Sequence, residues 1–403
     1  MSYAIDRLHT FDLIGGTGAY EFDVGVHAAS GTVYVARAMS GPVQLGTWSL
    51  GADGSFTSAG SDHVVGHGSR TRIVVFDNQR FVVLWLDTKS SLRARGYAFG
   101  GNSLVVGDAT TVESTIANFD LVSVGVTTGV QHSQPGVSVY YNYRQFAFTT
   151  LSENGDWKLW LGTVTDSAEV SVGPAGHGGT GDKVVLSCAS VNENHNGAQP
   201  RKALTLWRDA GQIRTRSWRV AHAGVTSLAS AAETKPLGVG AVHGMSMTQG
   251  NDFFATLVWP GASNATARLQ LVSLAAGGAM STYASAEFAE APTTFARLQT
   301  YGSDAAVAYT TPEGHLAVAA WRFAAPGSTS AARTVLASKV GTEQPTEVRL
   351  ASLIPLDDNE DDTVRLVTLN RVAAGALRLV SWQFRKFDYY PTPHPTSDNA
   401  TGP

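Results

Sequence analysis

The chain of 403 residues has little charge, a single cysteine and no long hydrophobic segment. Charged residues make up 15% of it and the formal net charge is −4, so a basic surface for nucleic acid is not expected. The one cysteine, Cys188, lies in an apolar run. It cannot form a disulfide within the chain or a cysteine-built zinc site, and we expect it to pack in a core.

Neither a membrane span nor a signal peptide is visible. No run of eighteen apolar residues occurs, and the first residues, MSYAIDRLHTFDL, lack a basic region followed by a hydrophobic one. We therefore expect a soluble chain that is either cytoplasmic or already processed. No cofactor is predicted, and the proline-rich residues 387–403 have the composition of a tail.

One short segment returns along the whole chain. Residues 377–384, LRLVSWQF, are one of seven similar copies when the alignment is centred on their tryptophan. The aligned register positions are Trp48, Tyr97, Gly162, Trp218, Leu274, Trp321 and Trp382. Their mean spacing of about 56 residues is typical of repeat proteins in which each repeat is one supersecondary unit.

Each copy has the pattern of a half-buried strand, because apolar residues alternate with variable ones over about eight residues between turn signals. Two apolar runs precede each copy, and a more polar run follows every copy except the last. The run SYAIDRLHTF, which starts at Ser2, has no repeat of its own and can supply the missing strand. The sequence therefore predicts an all-β fold of seven four-stranded units.

This recurring LxLxxW strand, with its turn and polar strand, resembles the seven-bladed β-propeller superfamily over essentially all of residues 1–386. The copies look like repeats of uncharacterised bacterial propellers. The resemblance implies a single domain of four-stranded antiparallel blades, a ring closed by an N-terminal strand at about residues 2–11 that pairs in the last blade. It implies no activity, since the motifs of sialidase, Trp-Asp and kelch propellers are absent.

A Gly-His-Gly triplet surrounds both His67 and His177, and Arg70, Arg72 and Asp182 lie close behind the triplets. We expect both triplets in connections that lead from a polar outer strand to the next inner strand, at one mouth of the ring. The five side chains then predict a polar site for hydrogen bonding or proton transfer. The competing interpretation is that Gly-His-Gly is simply a polar turn.

Three tyrosines offer a second candidate site. Tyr140, Tyr141 and Tyr143 lie in GVSVYYNYRQ, which we interpret as a long insertion between the first two strands of the third repeat. Exposed aromatic rings pack well against sugar rings, so these residues are candidates for carbohydrate binding. They do not recur in the other repeats.

Metal binding has weaker support. His27, His132 and His243 fall in connections at the opposite mouth, where converging imidazoles could hold a transition metal. Their distances to the following strands differ, and ordinary loop histidines are the favoured interpretation. The polar residues 192–197 and 357–362 lack EF-hand spacing, and we interpret them as solvated loops.

The sequence contains no Gly-x-Ser-x-Gly elbow, His-Glu-x-x-His motif or dinucleotide fingerprint. It therefore favours a non-catalytic, lectin-like binding protein that recognises a carbohydrate or a protein surface through loops at one mouth. The alternative is an enzyme, a lyase or hydrolase, in which His67 and His177 act as acid and base and Arg70 or Arg72 holds an anionic group. A histidine-bound metal is a variant of that alternative. Whether the chain is an enzyme, and its oligomeric state, remain open at this stage.

Overall fold

The structure is a computed structural model of the chain, and it contains strands and turns. It describes residues 2–13, 21–27, 30–60, 62–77, 80–100, 103–134, 137–173, 175–181, 183–188, 201–210, 212–221, 224–227, 235–239, 241–247, 253–259, 268–274, 280–287, 294–295, 299–301, 304–322, 334–341, 344–350, 354–355, 363–372 and 375–387. No helix occurs in these ranges, and accordingly none that is long and apolar enough to cross a membrane.

The strands form seven antiparallel sheets, which are numbered here in chain order. After β1 (Ser2–Leu13), the first three sheets contain β2 (Glu21–His27), β3 (Thr32–Ala38), β4 (Pro42–Leu50), β5 (Phe56–Ser58) and β6 (His63–His67); β7 (Ser69–Asp77), β8 (Arg80–Leu86), β9 (Leu92–Gly100), β10 (Ser103–Val106) and β11 (Thr110–Glu113); and β12 (Ile116–Gln134), β13 (Val137–Ser152), β14 (Asp156–Val164), β15 (Val170–Val172) and β16 (Gly176–Thr180).

The remaining sheets continue the same plan. They contain β17 (Lys183–Cys188), β18 (Arg201–Asp209), β19 (Gln212–Ala221), β20 (Gly224–Ser227) and β21 (Lys235–Val239); β22 (Ala241–Met247), β23 (Phe253–Trp259), β24 (Arg268–Leu274) and β25 (Met280–Glu287); β26 (Thr294–Phe295), β27 (Gln299–Tyr301), β28 (Asp304–Thr310), β29 (Leu316–Arg322) and β30 (Thr334–Val340); and β31 (Pro345–Leu350), β32 (Ile354–Pro355), β33 (Thr363–Val372) and β34 (Leu377–Phe387).

Four strands follow one another in chain order across each of the first six sheets. The predicted all-β class and antiparallel four-stranded sheets are therefore confirmed. All seven register positions lie in the third strand of their sheets, as the repeat predicted. In the first four sheets the fourth strand is interrupted, and its second piece, β6, β11, β16 or β21, pairs with the same third strand.

The N-terminal strand lies in the last sheet. β1 pairs antiparallel with β34, with Asp12 opposite Arg378, and the sheet order is β1-β34-β33-β31. Ile5 and Leu13 of β1 are buried in two different apolar clusters. The N-terminal strand therefore covers the edge of β34 and adds core residues.

Neighbouring sheets pack through their first strands. β2 contacts β7, β7 contacts β12, β12 contacts β17, β17 contacts β22, and β22 contacts β27. β28 contacts β31, and β31 contacts β2. The apolar clusters lie between consecutive sheets: one joins Phe22 of the first sheet to Val367 of the last, and another joins Tyr34 of the first to Ile73 of the second. Each core is therefore shared by two sheets.

The tyrosine segment, which the sequence predicted as a long insertion between the first two strands, continues the β12–β13 ladder to the pair Gln134 and Val137. One sequence interpretation is wrong in detail. The Gly-His-Gly triplets are not in connections: His67 is the last residue of β6, and His177 lies inside β16. The interrupted fourth strand, which single-sequence periodicity did not reveal, places both triplets on the outer side of their sheets.

Candidate functional site

Charged side chains gather where the first strands of neighbouring sheets begin. We refer to this group as the arginine–carboxylate network: Glu21, Asp23, Arg70, Arg72, Asp120, Glu347, Arg349 and Arg371. Its members come from the last sheet and the first three. It includes Arg70 and Arg72, two of the site residues that the sequence predicted.

The beginnings of these strands are fixed by a repeated backbone hydrogen bond. The chain that enters a new sheet donates an N–H group to a carbonyl in a hairpin turn of the preceding sheet. The donor and acceptor pairs are Gly68 N to Gly41 O at 2.9 Å, Ile116 N to Ser90 O at 2.9 Å, and Gly181 N to Gly155 O at 2.8 Å. The beginnings of these strands are therefore held in place by turns of the preceding sheet.

Glu21 is the centre of the network. Its Oε1 lies 3.1 Å from Nη2 of Arg72 and 3.7 Å from Nη2 of Arg349, and its Oε2 lies 3.8 Å from Nε of Arg70. The Glu21 side chain is only 18% exposed. One largely buried carboxylate thus connects three arginines from the second and last sheets, which is how buried charges are normally compensated.

A second carboxylate, Glu347, completes the part of the network in the last sheet. Its Oε1 is 2.5 Å from Nη2 of Arg349, and its Oε2 is 3.1 Å from Nη2 of Arg371. The guanidinium carbons of both arginines also lie 5.3 and 5.1 Å from the centre of the Phe22 ring. Such cation–π contacts favour the charged form and hold the planar groups against the first sheet.

The two most enclosed arginines of the network, Arg72 and Arg349, have opposite pKa shifts. Burial lowers the pKa of Arg349, and the positive charge of Arg72 lowers it further, while Glu347, Asp23 and Glu21 raise it in part. Burial also acts to lower the pKa of Arg72, but Glu21, Asp23 and Asp120 outweigh burial and raise it above its ordinary value. Both remain cations near neutral pH, because arginine titrates far above it.

Arg70 differs from the rest of the network. Its side chain is 42% exposed, and its backbone has φ of 40°, in the left-handed region that non-glycine residues seldom adopt. The guanidinium donates Nη1–H to the Ala117 carbonyl of the third sheet and keeps a long ion pair with Glu21. Since a guanidinium has five N–H donors, Arg70 can bond a further group in solvent.

His67 is exposed at the end of β6, opposite Pro42, and the glycines beside it are required by packing. A Cβ atom at Gly66 would lie 2.7 Å from Cζ2 of Trp85, and one at Gly68 would overlap the Leu86 carbonyl. These contacts agree with a structural origin of the triplet.

His177 pairs with Lys158 in the third sheet. His67 is on the first sheet, so the second sheet stands between the two histidines, and acid–base catalysis by the pair stays a prediction. Asp182 and the side chains of His177, Tyr140, Tyr141 and Tyr143 lie outside the described residues. Within the described backbone, Tyr141 is opposite Gly129 and Tyr143 opposite Thr127.

The predicted metal histidines are not brought together among the residues that can be described. His27 Nδ1 is 2.8 Å from Oγ of Ser30, at the turn after β2. No group of three or more histidine, cysteine or acidic side chains that could hold a metal ion occurs in the described ranges. The side chains of His132 and His243 and residues 357–362 fall outside those ranges.

Glu21, Glu347, Arg349 and Arg371 were missed from the sequence. A signal was present: charged residues stand two apart at the start of three first strands, in Glu21-x-Asp23, Arg70-x-Arg72 and Glu347-x-Arg349. Residues two apart share one face of a strand, and these three strands belong to consecutive sheets. An alignment of the first strands of the repeats brings these charged pairs to the same position.

Comparisons with known proteins give distant likenesses. No family model matches the chain, and no curated protein matches it. Among solved structures, the β-propeller domain of Cps50 (Swd1) from Myceliophteria thermophila is 10% identical, with a TM-score of 0.48 over 94% of this chain and 99% of that one. The six-bladed fucose-recognising lectin of Aleuria aurantia is 13% identical, with a TM-score of 0.46 over 79% of this chain and 98% of that one. Similarity at this level assigns no function.

Proposed function

We propose that the seven sheets are the blades of a closed seven-bladed β-propeller formed by residues 1–386. The support comes from the contacts between consecutive first strands, from the contact of β31 with β2, and from the pairing of β1 with β34. A ring of this kind leaves no sheet edge open at the junction of the chain ends. Phe387 of β34, which the sequence assigned to the tail of residues 387–403, pairs with Ser2 of β1, so the proposed tail starts after it.

We further propose that this propeller is a non-catalytic binding protein and that its ligand is an acidic carbohydrate held at the mouth around Arg70. The observation that carries the proposal is the contrast within the network. Arg72 and Arg349 are enclosed and compensated by carboxylates, whereas Arg70 is half exposed, strained in its backbone and only loosely paired. Strained, exposed residues on a rigid support are typical of ligand contacts.

The chemistry of the guanidinium selects the ligand class. Its N–H groups form a planar fork that matches the two oxygens of a carboxylate or sulfate. The compensated arginines beneath Arg70 make the base of the mouth rigid, so little ordering is needed on binding. Because Phe22 and Phe119 are buried, their rings are not open for stacking, and polar contacts must supply the specificity.

The test is a glycan array with neutral, carboxylated and sulfated oligosaccharides, followed by calorimetry on the best binder. We expect binding to acidic glycans only. Arg70→Ala should weaken binding at least about tenfold, since a lost charge-assisted hydrogen bond corresponds to roughly 1.5–3 kcal/mol. Arg70→Lys should recover part of the affinity, because lysine keeps the charge without the fork.

Arg378→Ala is the matched control, because Arg378 pairs with Asp12 at the exposed edge of the last sheet. It should leave the affinity unchanged. Exclusive binding of neutral glycans, or an acidic glycan whose affinity is the same in Arg70→Ala, contradicts the proposal. If the protein chemically converts a bound glycan, and substitution of His67 abolishes that conversion, the result supports the enzyme alternative instead.

A further inference from the structure

The third sheet carries a two-stranded extension that the described residues of the other sheets do not show. β12 and β13 have 19 and 16 residues, and their ladder continues to the pair Gln134 and Val137. β14 covers the other edge of β13 only from Arg144 onward. Residues 127–134 and 137–143 are therefore called the β12–β13 arm.

One edge of the arm has no partner strand in the part of the chain that is described. Residues 137–143 continue the edge that β14 occupies in the body of the sheet, and no other described strand pairs with them there. An extended edge of this length presents a row of backbone donors and acceptors in the geometry that another strand needs.

The edge strand of the arm lacks protective charges and prolines. From residue 121 to residue 143 there is no aspartate, glutamate, lysine or arginine, and the only proline, Pro135, falls between the two strands in the sequence. The register irregularity between His132 and Gln134 lies in β12 and not in the edge strand. Natural edge strands are normally blocked by charges, prolines or bulges. The edge segment, VSVYYNY, instead has Val137, Val139, Tyr141 and Tyr143 at alternate positions, and β-branched and aromatic residues favour strand pairing.

The same segment is complementary to itself. If two copies are placed antiparallel about a two-fold axis at Tyr140, Val137 falls opposite Tyr143 and Val139 falls opposite Tyr141. Each valine then meets a tyrosine, and β-branched residues opposite aromatic ones are among the favourable cross-strand pairs. Because both edges are uncharged, no repulsion opposes the contact, and no charge pattern selects a different partner.

We propose that two copies of this chain form a dimer by antiparallel pairing of residues 137–143 about a two-fold axis at Tyr140. The two arms form one continuous four-stranded sheet between the two bodies. The contact is isologous, since the same seven residues serve on both sides, and it closes at two copies because each 137–143 edge is then occupied by the other. This inference is independent of the ligand at the Arg70 mouth.

Sedimentation velocity of the full chain over a wide concentration range tests the dimer. We expect a reversible monomer–dimer equilibrium. Hydrogen exchange should show greater amide protection in residues 137–143 at high concentration than at low concentration. A wild-type chain that remains monomeric throughout, whatever else the edge binds, overturns the proposal.

Charges placed on the axis give a sharper test. Tyr140→Lys and Tyr140→Glu each put two like charges opposite each other, so each variant should dimerise at least about tenfold more weakly. An equimolar mixture of the two variants should recover dimers, because a lysine then meets a glutamate. Circular dichroism checks that both variants fold.

Val64→Lys is the matched control, since Val64 is a 49% exposed strand residue on β6 of the first sheet. It should dimerise as the wild type does. Normal dimerisation of Tyr140→Lys, or a mixture that remains as monomeric as the separate charged variants, overturns the assigned register.

Discussion

Phe146 and Gly162 stand directly opposite each other in β13 and β14, and the glycine lies against the Cζ end of the phenylalanine ring. Three other repeats reverse these sizes. Trp382 is opposite Leu366, Trp218 is opposite Ala203, and Trp48 is opposite Val33. In these four sheets a large side chain faces a smaller one, so the register tryptophan fills core volume and its loss in the third sheet is compensated by its neighbour.

Two of the tryptophans are also fixed by a hydrogen bond. Nε1–H of Trp382 donates to Thr368 Oγ1 at 3.0 Å, and Nε1–H of Trp218 donates to Thr205 Oγ1 at 2.9 Å. Both threonines lie on the adjacent second strand and are completely buried. These two tryptophans therefore have a structural role, which directs the search for function to residues that do not repeat.

Gly162→Ala should lower the free energy of unfolding by about 1–3 kcal/mol, because the added methyl group overlaps the Phe146 ring in a closely packed core. Urea denaturation measures the change. Combining it with Phe146→Leu should recover part of the loss, since the two side chains compete for one volume. Gly60→Ala is the control: its Cβ would meet nothing within 4 Å. Equal effects of the two alanines would refute the packing argument.

The hairpin turns share one backbone geometry. Five-residue turns recur with an N–H to carbonyl bond between their ends, as in Gly51 to Ser55, Asp87 to Ser91 and Thr311 to His315. The fourth residue of these turns has positive φ, and it is Gly54, Ser90 or Gly314. This is the geometry of a type I turn followed by a left-handed residue, which suits three-residue hairpin loops. Glycine is strain-free there, while Ser90 is not.

Ser90→Gly should raise the free energy of unfolding by about 0.5–1 kcal/mol. A left-handed conformation costs an L-residue roughly 1–2 kcal/mol, which glycine avoids, but the greater backbone freedom of glycine in the unfolded chain offsets part of that gain. Gly314→Ser, at a turn with φ of 84° and open space around the Cβ position, should have the opposite sign. Denaturant midpoints measure both. Changes of the same sign would show that the backbone conformation does not control these turns.

Many of the strands and turns were predictable from the sequence. The third strands followed from period-2 patterns around Trp382, and the turn at Gly314 from a Glu-Gly pair. The split of the fourth strand was not predictable, because β5 and β6 are three and five residues long and carry no apolar repeat. The length of β13 was missed for another reason: an uncharged run with Tyr140 and Asn142 has no pattern that separates an arm from a loop.

The candidate site was predictable only in part. Arg70 and Arg72 were identified through their position after a glycine-rich triplet, whereas Glu21 and Arg349 are separated by more than three hundred residues and meet only when the last sheet contacts the first. Sequence periodicity places a residue on a face of its own strand. It does not determine which strands that are distant in the sequence lie next to each other in the fold.

At the scale of the whole molecule, the two ends of the chain depend on each other. The ion pairs of Glu21 with Arg349 and the apolar cluster around Phe22 and Leu379 join the first sheet to the last. β1 then adds the N-terminal strand to β34. The proposed ring thus rests on one strand pairing and one shared core at the junction, and strand pairing is the part that chemistry can test selectively.

A register-specific disulfide tests this closure most directly. Asp12 is opposite Arg378, and opposed residues of antiparallel strands have Cα atoms about 5 Å apart, which suits a disulfide. In a Cys188→Ser background, the pair Asp12→Cys and Arg378→Cys is predicted to oxidise within one chain and to stabilise it by up to about 5 kcal/mol. The control pair, Asp12→Cys and Gln383→Cys, is displaced by roughly 16 Å along β34 and should stay reduced. Non-reducing mass spectrometry distinguishes the outcomes. A disulfide in the first pair alone is the predicted result, and its absence, or equal oxidation of both pairs, would contradict the closed ring.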